Sequence, residues 1–179
     1  MIINYKSLVL SFAALLLLTP ALSAQNAGGN NSFSFNAPSV SGFPTGEVQF
    51  TGGGVFNLAT GLAHSGGSFS CLRSVNQPPL LNCLTGEGVR WDSDSVVSST
   101  GFKCTAASVK RTATTSVGTN APDTVVLSAD FYRARDGNNE SFTAKMIVST
   151  LDLDPDTEGI QNIWIEGVGC GTAQVNFNH

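Results

Sequence analysis

The sequence predicts an all-β protein with one domain, a small closed or partly open antiparallel β-barrel, with a β-sandwich as the alternative. From residue 46 onward, short runs of alternating apolar and polar residues are split by Gly, Asn, Asp and Pro, which predicts about seven to nine short strands. No run of ten or more residues after the N-terminal segment has a helical apolar period. Glycine clusters at 52–54 and 66–67 mark bends, which barrels need more than sandwiches do.

The first 24 residues have the layout of a cleavable secretory signal peptide. Lys6 supplies the positive charge, and 8–18 is an apolar stretch interrupted only by Ser11. The small residues Ala21, Ser23 and Ala24 follow. The apolar stretch is shorter than the roughly 20 residues that a membrane-spanning helix needs. We therefore expect a secreted or periplasmic protein with no membrane span after cleavage.

The remaining chain divides into a leader and a domain. Residues 25–45 are rich in Asn, Gly and Ser and carry no charge, which predicts a flexible leader whose Phe side chains can dock on the domain. Residues 46–179 form the all-β domain. Its candidate strands are 47–51, 54–58, 67–73, 82–85, 88–91, 101–109, 124–133, 141–149, 162–170 and 172–177.

For one pair of these strands, the sequence also predicts the register of pairing. Residues 124–133 and 141–149 alternate apolar and polar side chains, and Asp136-Gly137 between them favours a two-residue type I′ turn. That turn pairs Phe131 with Phe142 and brings the apolar side chains of both strands to one face. A slip of one residue would oppose apolar to polar side chains.

The four cysteines all follow the signal segment, and an even number in an exported chain predicts disulfides. Spacing alone leaves three pairings open. We favour Cys71–Cys83, because the two residues flank a Gln-Pro-Pro turn on adjacent candidate strands, which leaves Cys104–Cys170. A zinc site of four cysteines is disfavoured because the chain has no C-x2-C pair.

The charge balance argues against two classes of partner. The chain has 9 Lys and Arg against 13 Asp and Glu, and loss of the signal removes Lys6 and no acid, so the formal net charge moves from −4 to −5. Nucleic acid and anionic membrane surfaces both require basic side chains. The sequence therefore predicts no nucleic-acid partner, and it leaves the oligomeric state open.

Two groups of residues are candidates for a site. If the protein is an enzyme, Asp130, Tyr132, Lys145 and Glu166 are the candidate catalytic residues, because two carboxylates can act as acid and base. They require the polar hairpin face to line a lumen, whereas an outward orientation makes them a solvated surface, and we favour the outward orientation. Arg90, Trp91 and Trp164 are candidate ligand contacts, against the alternative of buried indoles beside a surface ion pair.

Two further candidates are weaker. Asp152, Asp154 and Asp156 alternate along an acidic loop and are a weak Ca²⁺ candidate, since Ca²⁺ prefers oxygen ligands. The pattern departs from a Ca²⁺-binding loop because Thr157 stands where a sharp turn needs Gly, and the alternative is an idle acidic loop. His64 is the histidine available to a Ser/His/Asp triad, but no serine lies in a G-x-S-x-G turn.

Three function classes follow. The first is a noncatalytic barrel that binds a small apolar or amphiphilic ligand, and it is the one we favour from the sequence. The second is a barrel-type enzyme, a cyclase, isomerase or hydrolase, that acts by enclosing its substrate. The third is a structural or interaction protein at the cell surface. An apolar, empty lumen favours the first class, and a lumen lined by Tyr, Asp and Lys favours the second. A filled core with a large exposed apolar patch favours the third.

Overall fold

A computed structural model describes residues 29–105 and 116–179. Within these ranges the chain forms eleven β-strands and one short 3-10 helix, Ala134–Asp136. The strands are β1 (Asn31–Gly42), β2 (Glu47–Asn57), β3 (Leu62–Arg73), β4 (Arg90–Val96), β5 (Ser99–Phe102), β6 (Ser116–Thr119), β7 (Thr124–Tyr132), β8 (Phe142–Ser149), β9 (Ile163–Ile165), β10 (Gly169–Gly171) and β11 (Gln174–Asn178). Across the same ranges, no helix has the length and apolar character needed to cross a membrane.

Eight antiparallel strands close into a ring, so the predicted barrel is confirmed. The order around the ring is β10-β9-β8-β7-β4-β3-β2-β1, and β10 pairs with β1 through Val40, Ser41 and Gly42 to close it. The other half of the same β1 edge pairs with β11. The barrel therefore has a seam at which two short strands share one edge of a long strand.

The interior of the barrel is filled by apolar side chains. Phe50 lies at its centre, with its ring centroid 4.9 Å from that of Phe35, 5.2 Å from that of Trp91 and 5.7 Å from that of Phe131. These rings are at most 5% exposed. The barrel core is therefore packed with protein atoms, as in other small barrels whose inward side chains meet.

The predicted register of the β7–β8 hairpin is confirmed, and Phe131 pairs with Phe142. The predicted two-residue turn is wrong. The strands stop at Tyr132 and Phe142, and the connection contains the 3-10 helix. The carboxylate of Asp136 accepts hydrogen bonds from Arg133 and from Ser141 Oγ across the loop, which holds this longer connection in place.

The start of the barrel differs from the expected leader over 25–45. From Asn31 this stretch is β1, a twelve-residue strand of the ring in which Phe33, Phe35 and Val40 are buried. The barrel therefore begins at Asn31 rather than at residue 46. The expected signal peptide, 1–24, lies outside the described residues.

Several expected strands also have different limits. Residues 47–51 and 54–58 belong to the single strand β2, because Gly52, Gly53 and Gly54 continue the pairing with β1 and β3. Residues 82–85 contribute one isolated bridge, Val75 to Cys83, instead of a strand. The expected strand 162–170 is divided into β9 and β10 by a tight turn, in which Gly167 has a positive φ of 77°.

The predicted Cys71–Cys83 disulfide is confirmed. It fastens the segment 74–89, which crosses one end of the barrel and places Val75 and Leu80 in the core with no exposed area. Two arginines anchor this segment from the neighbouring loop, since Arg133 and Arg135 both donate to the carbonyl oxygen of Asn82, at 3.0 and 2.8 Å. This end of the barrel is therefore closed by protein.

The predicted Cys104–Cys170 disulfide is also confirmed, and it fixes an outer layer. We call β5, β6 and the described residues next to them the outer strap. The strap covers the outer faces of β7 to β10, where Val126, Ile147 and Trp164 form a second apolar cluster with Phe102. Strands beneath it are buried on both faces, which explains why β7, β8 and β9 contain consecutive apolar residues instead of strict alternation.

Candidate functional site

The polar face of the β7 strand points outward and joins a small charged cluster with β4. Asp92 and Asp130 are directly opposed across the two strands, as are Arg90 and Tyr132. Arg90 is paired with the carboxylate of Asp92, and its guanidinium lies 3.7 Å from the centre of the Tyr132 ring. The Tyr132 hydroxyl donates to Asp92 Oδ1 at 3.2 Å.

Two groups in this cluster have shifted pKa values. Partial burial raises the pKa of Asp130 above its ordinary range, and the negative charges of Glu140, Asp92 and Asp94 act in the same direction against a hydrogen bond from Thr143. Partial burial and the carboxylate of Asp92 raise the pKa of the Tyr132 hydroxyl. Both shifts follow from crowding on the outer surface of the barrel, without any enclosed pocket.

The other two candidate catalytic residues lie elsewhere. Glu166 lies in the turn after β9, where its carboxylate accepts a hydrogen bond from the backbone N–H of Lys145 at 3.1 Å. The Lys145 side chain is exposed on β8. Asp130 and Glu166 flank β8 from its two sides, since Asp130 is paired with Thr143 of β8 and β9, which precedes Glu166, pairs with the other edge of β8. Their action as an acid and base stays a prediction.

Both tryptophans are buried against protein, which corrects the expectation that they contact a ligand. Trp91 is 1% exposed inside the barrel, where its Nε1 donates to the Thr51 carbonyl at 2.9 Å. Trp164 is 3% exposed beneath the outer strap, and its Nε1 donates to the Lys103 carbonyl at 2.9 Å. Within the chain, the apolar surface of both rings is already buried and each indole N–H already has a hydrogen-bond acceptor.

The acidic loop uses its carboxylates to organise its own backbone. Asp152 Oδ1 accepts from the N–H groups of Asp154 and Gln161, and Asp154 Oδ2 accepts from Thr157 Oγ1. In residues 29–105 and 116–179 no three His, Cys, Asp or Glu side chains gather in a way that could hold a metal ion. The described structure therefore gives no added support to the weak Ca²⁺ site at Asp152, Asp154 and Asp156, which stays a prediction.

His64 lies on the outer surface of β3. Its Nδ1 is 3.9 Å from the Asp94 carboxylate, and both side chains are 93% exposed. A catalytic histidine needs a serine beside it and shelter from water. The structure places His64 in a solvated contact with Asp94 instead.

A shallow pocket of about 280 Å³ opens at the turn between β1 and β2. Its lining is residues 41–46 with Arg73, Ser74 and Asn76. The guanidinium of Arg73 is paired with Glu47 at 2.7 Å, and Ser39 also donates to Glu47. The cation in the lining is thus already neutralised, which leaves a polar depression without a charge to select a ligand.

The most distinctive surface lies opposite the charged cluster. We call the outer faces of β11, β1 and β2 the uncharged wall, because Glu47, at one end of it, is the only Asp, Glu, Lys or Arg in the three strands. Its exposed side chains are Ser34, Asn36, Pro38, Gln49, Val55, Gln174, Asn176 and Asn178. Depletion of charge is the compositional mark that separates interface cores from ordinary surface.

The uncharged wall was not predicted from the sequence, because the residues of β1 were assigned to a flexible leader. The signal was present, since Phe33 and Phe35 alternate with uncharged polar residues in the period of a strand. Comparison with protein-family models, with curated proteins and with solved structures finds no match to this chain. Its function therefore has to be argued from the surfaces described above.

Proposed function

We propose that this chain is an exported, noncatalytic structural or interaction protein that binds its partners through the uncharged wall. The observation that carries the proposal is the contrast between a filled barrel and a surface depleted of charge. Net charge keeps proteins soluble and monomeric, so a face without charge lacks that protection against association. Here the charges of β4, β7 and β8 lie on the other side of the barrel.

The packed interior supports a function at the surface of the barrel over ligand binding in its lumen. A ligand-binding barrel needs unfilled space lined by apolar groups and a few polar ones. In this barrel Phe50, Trp91 and Phe131 meet at the centre, and the segment 74–89 crosses one end. This packing supports a function at the surface over the small apolar or amphiphilic ligand expected from the sequence.

Export is part of the proposal and has two supports. The signal-like layout of residues 1–24 predicts passage through a membrane. Two disulfides join all four cysteines, and such bonds persist in oxidising compartments. A surface or matrix protein is exposed to that environment throughout its lifetime.

Native mass spectrometry of the protein purified from its exporting cells separates the surface function from the lumen function. We expect the bare chain at the mass of the form with two disulfides. An adduct of a few hundred daltons that leaves on unfolding would establish an enclosed ligand and overturn the proposal.

A charge placed on the wall tests the surface function directly. We expect Gln49→Lys to increase the fraction of the exported chain found free in the medium, because a buried unpaired charge weakens an interface. Asn138→Lys makes the same change of charge in the exposed β7–β8 loop, off the wall, and is the matched control. Equal release of both variants and of the parent chain would contradict a role for the wall.

A further inference from the structure

The strand β11 leaves one backbone edge open. Residues Gln174–Asn178 pair with β1 along one side, from Asn36 to Ser32. On the other side, no backbone hydrogen bond from any described residue reaches them. The ring closes through β10 instead, so β11 stands at the end of the sheet. We call the side of β11 that faces away from β1 the open edge.

This edge is short, with five residues, but its side chains and register lack the other features that keep sheet edges from pairing. Edge strands in soluble proteins commonly carry a lysine, a proline, a bulge or an inward-pointing charge. The residues from 172 to 178 contain none of these side chains, and the register of β11 with β1 has no shift. Within residues 29–105 and 116–179, the open edge is therefore available for another strand.

The apolar side of β11 is also incompletely covered. Val175 and Phe177 pack against the barrel core but remain partly exposed. The Phe177 ring lies 6.0 Å from that of Phe33 and 6.1 Å from that of Phe56. Beside the start of the strand, Ile160 is 53% exposed, and its carbonyl accepts a hydrogen bond from Thr172. A strand added at the open edge would cover this apolar seam.

The pattern of β11 favours a second copy of the same strand. Arranged antiparallel about a two-fold axis at Asn176, Gln174 meets Asn178 of the other copy, and Val175 meets Phe177. Polar side chains thus oppose polar ones and apolar side chains oppose apolar ones, which is the match that stabilises cross-strand pairs. Two acidic chains repel each other over most approaches, but no carboxylate lies on β11 or β1 to oppose this one.

We infer that two copies of this chain associate by antiparallel pairing of β11 with β11, which continues the sheet and the uncharged wall across a two-fold axis. The inference deepens the proposed function, on which it rests, because a second copy paired at the open edge enlarges the uncharged wall and leaves its outer face free for other partners. It predicts an isologous dimer in which the same residues serve both sides. Backbone hydrogen bonds supply the affinity, as in other cases of strand addition.

Sedimentation of the full exported chain, over concentrations up to about 1 mM, tests the inference. We expect the parent chain to dimerise and Asn176→Lys to raise the dimer dissociation constant by about tenfold or more, because it places two like charges at the axis. Asn176→Glu has the same effect, and an equal mixture of the two variants restores the dimer. Asn138→Lys, in the exposed β7–β8 loop and off the wall, leaves dimerisation unchanged.

The outcomes separate this inference from the proposed function. A parent chain that stays monomeric over the whole range overturns the dimer, while the release of Gln49→Lys from cells still reports on the wall. A dimer that survives Asn176→Lys but is lost in Gln49→Lys also overturns edge pairing and instead shows that two walls pack face to face. Failure of the charge-swapped mixture to recover the dimer overturns the position of the axis.

Discussion

The indole Nε1 of Trp91 donates a hydrogen bond of 2.9 Å to the carbonyl oxygen of Thr51. The bond lies inside the barrel and joins β4 to β2, which are separated in the ring by β3. The ring of Trp91 fits there because β2 and β3 lack side chains beside it. A Cβ atom on Gly52 would lie 2.5 Å from Trp91 Cζ2, and one on Gly67 would lie 2.7 Å from Trp91 Nε1. The two glycines and the tryptophan form one packing unit.

Gly67→Ala is expected to destabilise the barrel by about 1–3 kcal/mol, the usual cost of overpacking a core. Its added methyl group would also lie 2.0 Å from the Thr51 carbonyl oxygen, which is rigid backbone. Urea unfolding gives the change in the free energy of unfolding. Gly66→Ala is the matched control, since its nearest neighbour is the Trp91 carbonyl oxygen at 3.0 Å and the next atoms lie at 3.7 Å. Equal losses in both variants would contradict this account.

Replacing Cys104 and Cys170 by Ser is expected to lower the free energy of unfolding by about 4 kcal/mol on the chain-entropy model, because the bond closes a long loop. The loosened strap exposes Trp164, so the fluorescence emission shifts to the red. In a Trp164→Phe background the shift disappears, since Trp91 stays inside the barrel. An unchanged spectrum in the double-serine variant would show that the strap holds without the disulfide.

Arg133→Lys is expected to cost about 1–3 kcal/mol, within the range for hydrogen bonds to a buried charged group. The Arg133 guanidinium contacts three partners at once: the Asp136 carboxylate at 2.7 Å, the Asn82 carbonyl at 3.0 Å and the Phe142 ring, whose centre lies 4.5 Å away. An ammonium group cannot reproduce that planar arrangement.

Arg135→Lys is the comparison for this site, because Arg135 also donates to the Asn82 carbonyl but its side chain is 45% exposed, against 13% for Arg133. We expect Arg135→Lys to lose less than about 1 kcal/mol. Thermal unfolding at fixed protein concentration measures both. A larger loss of stability for Arg135→Lys than for Arg133→Lys would show that Arg135 is the stronger anchor of the segment 74–89.

Glu47 and Asp130 are expected to affect stability in opposite directions at neutral pH. A hydrogen bond from Ser39 and the charge of Arg73 hold the pKa of Glu47 below its ordinary 4.5, so its ionised form stabilises the fold above that value, and the contribution is lost as the pH falls through the folded pKa. Burial raises the pKa of Asp130 above 3.8, so its ionised form costs stability at higher pH and costs nothing below 3.8, where both states are protonated.

Glu47→Gln is therefore expected to destabilise the barrel at pH 7, and Asp130→Asn to stabilise it, each by less than about 1 kcal/mol because both groups are near solvent. Both differences shrink as the pH falls below 4. Urea unfolding of the two variants and the parent chain at pH 3 and pH 7 measures the four differences. If both substitutions changed the free energy of unfolding in the same direction at pH 7, the opposed pKa shifts of Glu47 and Asp130 would be refuted.

The features that the sequence predicted depend on local patterns. The β7–β8 register follows from alternation in two strands that are close along the chain, and Cys71–Cys83 follows from cysteines on either side of a turn. The β7–β8 turn was wrong because Asp136 satisfies Arg133 and Ser141 across a wider loop, a contact among side chains that the favoured Asp-Gly pair does not encode.

The features that were not predicted from the sequence depend on which distant parts of the chain pack against a strand. The residues of β1 resemble a linker in composition, and their role becomes evident only when Phe33 and Phe35 enter a core built from distant strands. Trp164 was predicted to be a ligand contact because an exposed aromatic and one covered by the outer strap look the same in sequence. The candidate site changed for the same reason, since the wall exists only once β11 lies beside β1.

The Cys104–Cys170 bond has a consequence for survival among proteases. The bridge spans 66 positions along the chain, so a single cut anywhere between the two cysteines leaves two fragments that remain covalently joined. Such a nicked molecule migrates as one species on a non-reducing gel and as two after reduction. Its fragments also stay hydrogen-bonded in one sheet, because the strands on either side of the cut are neighbours in the ring. A barrel built in this way tolerates a cut in a surface loop without coming apart.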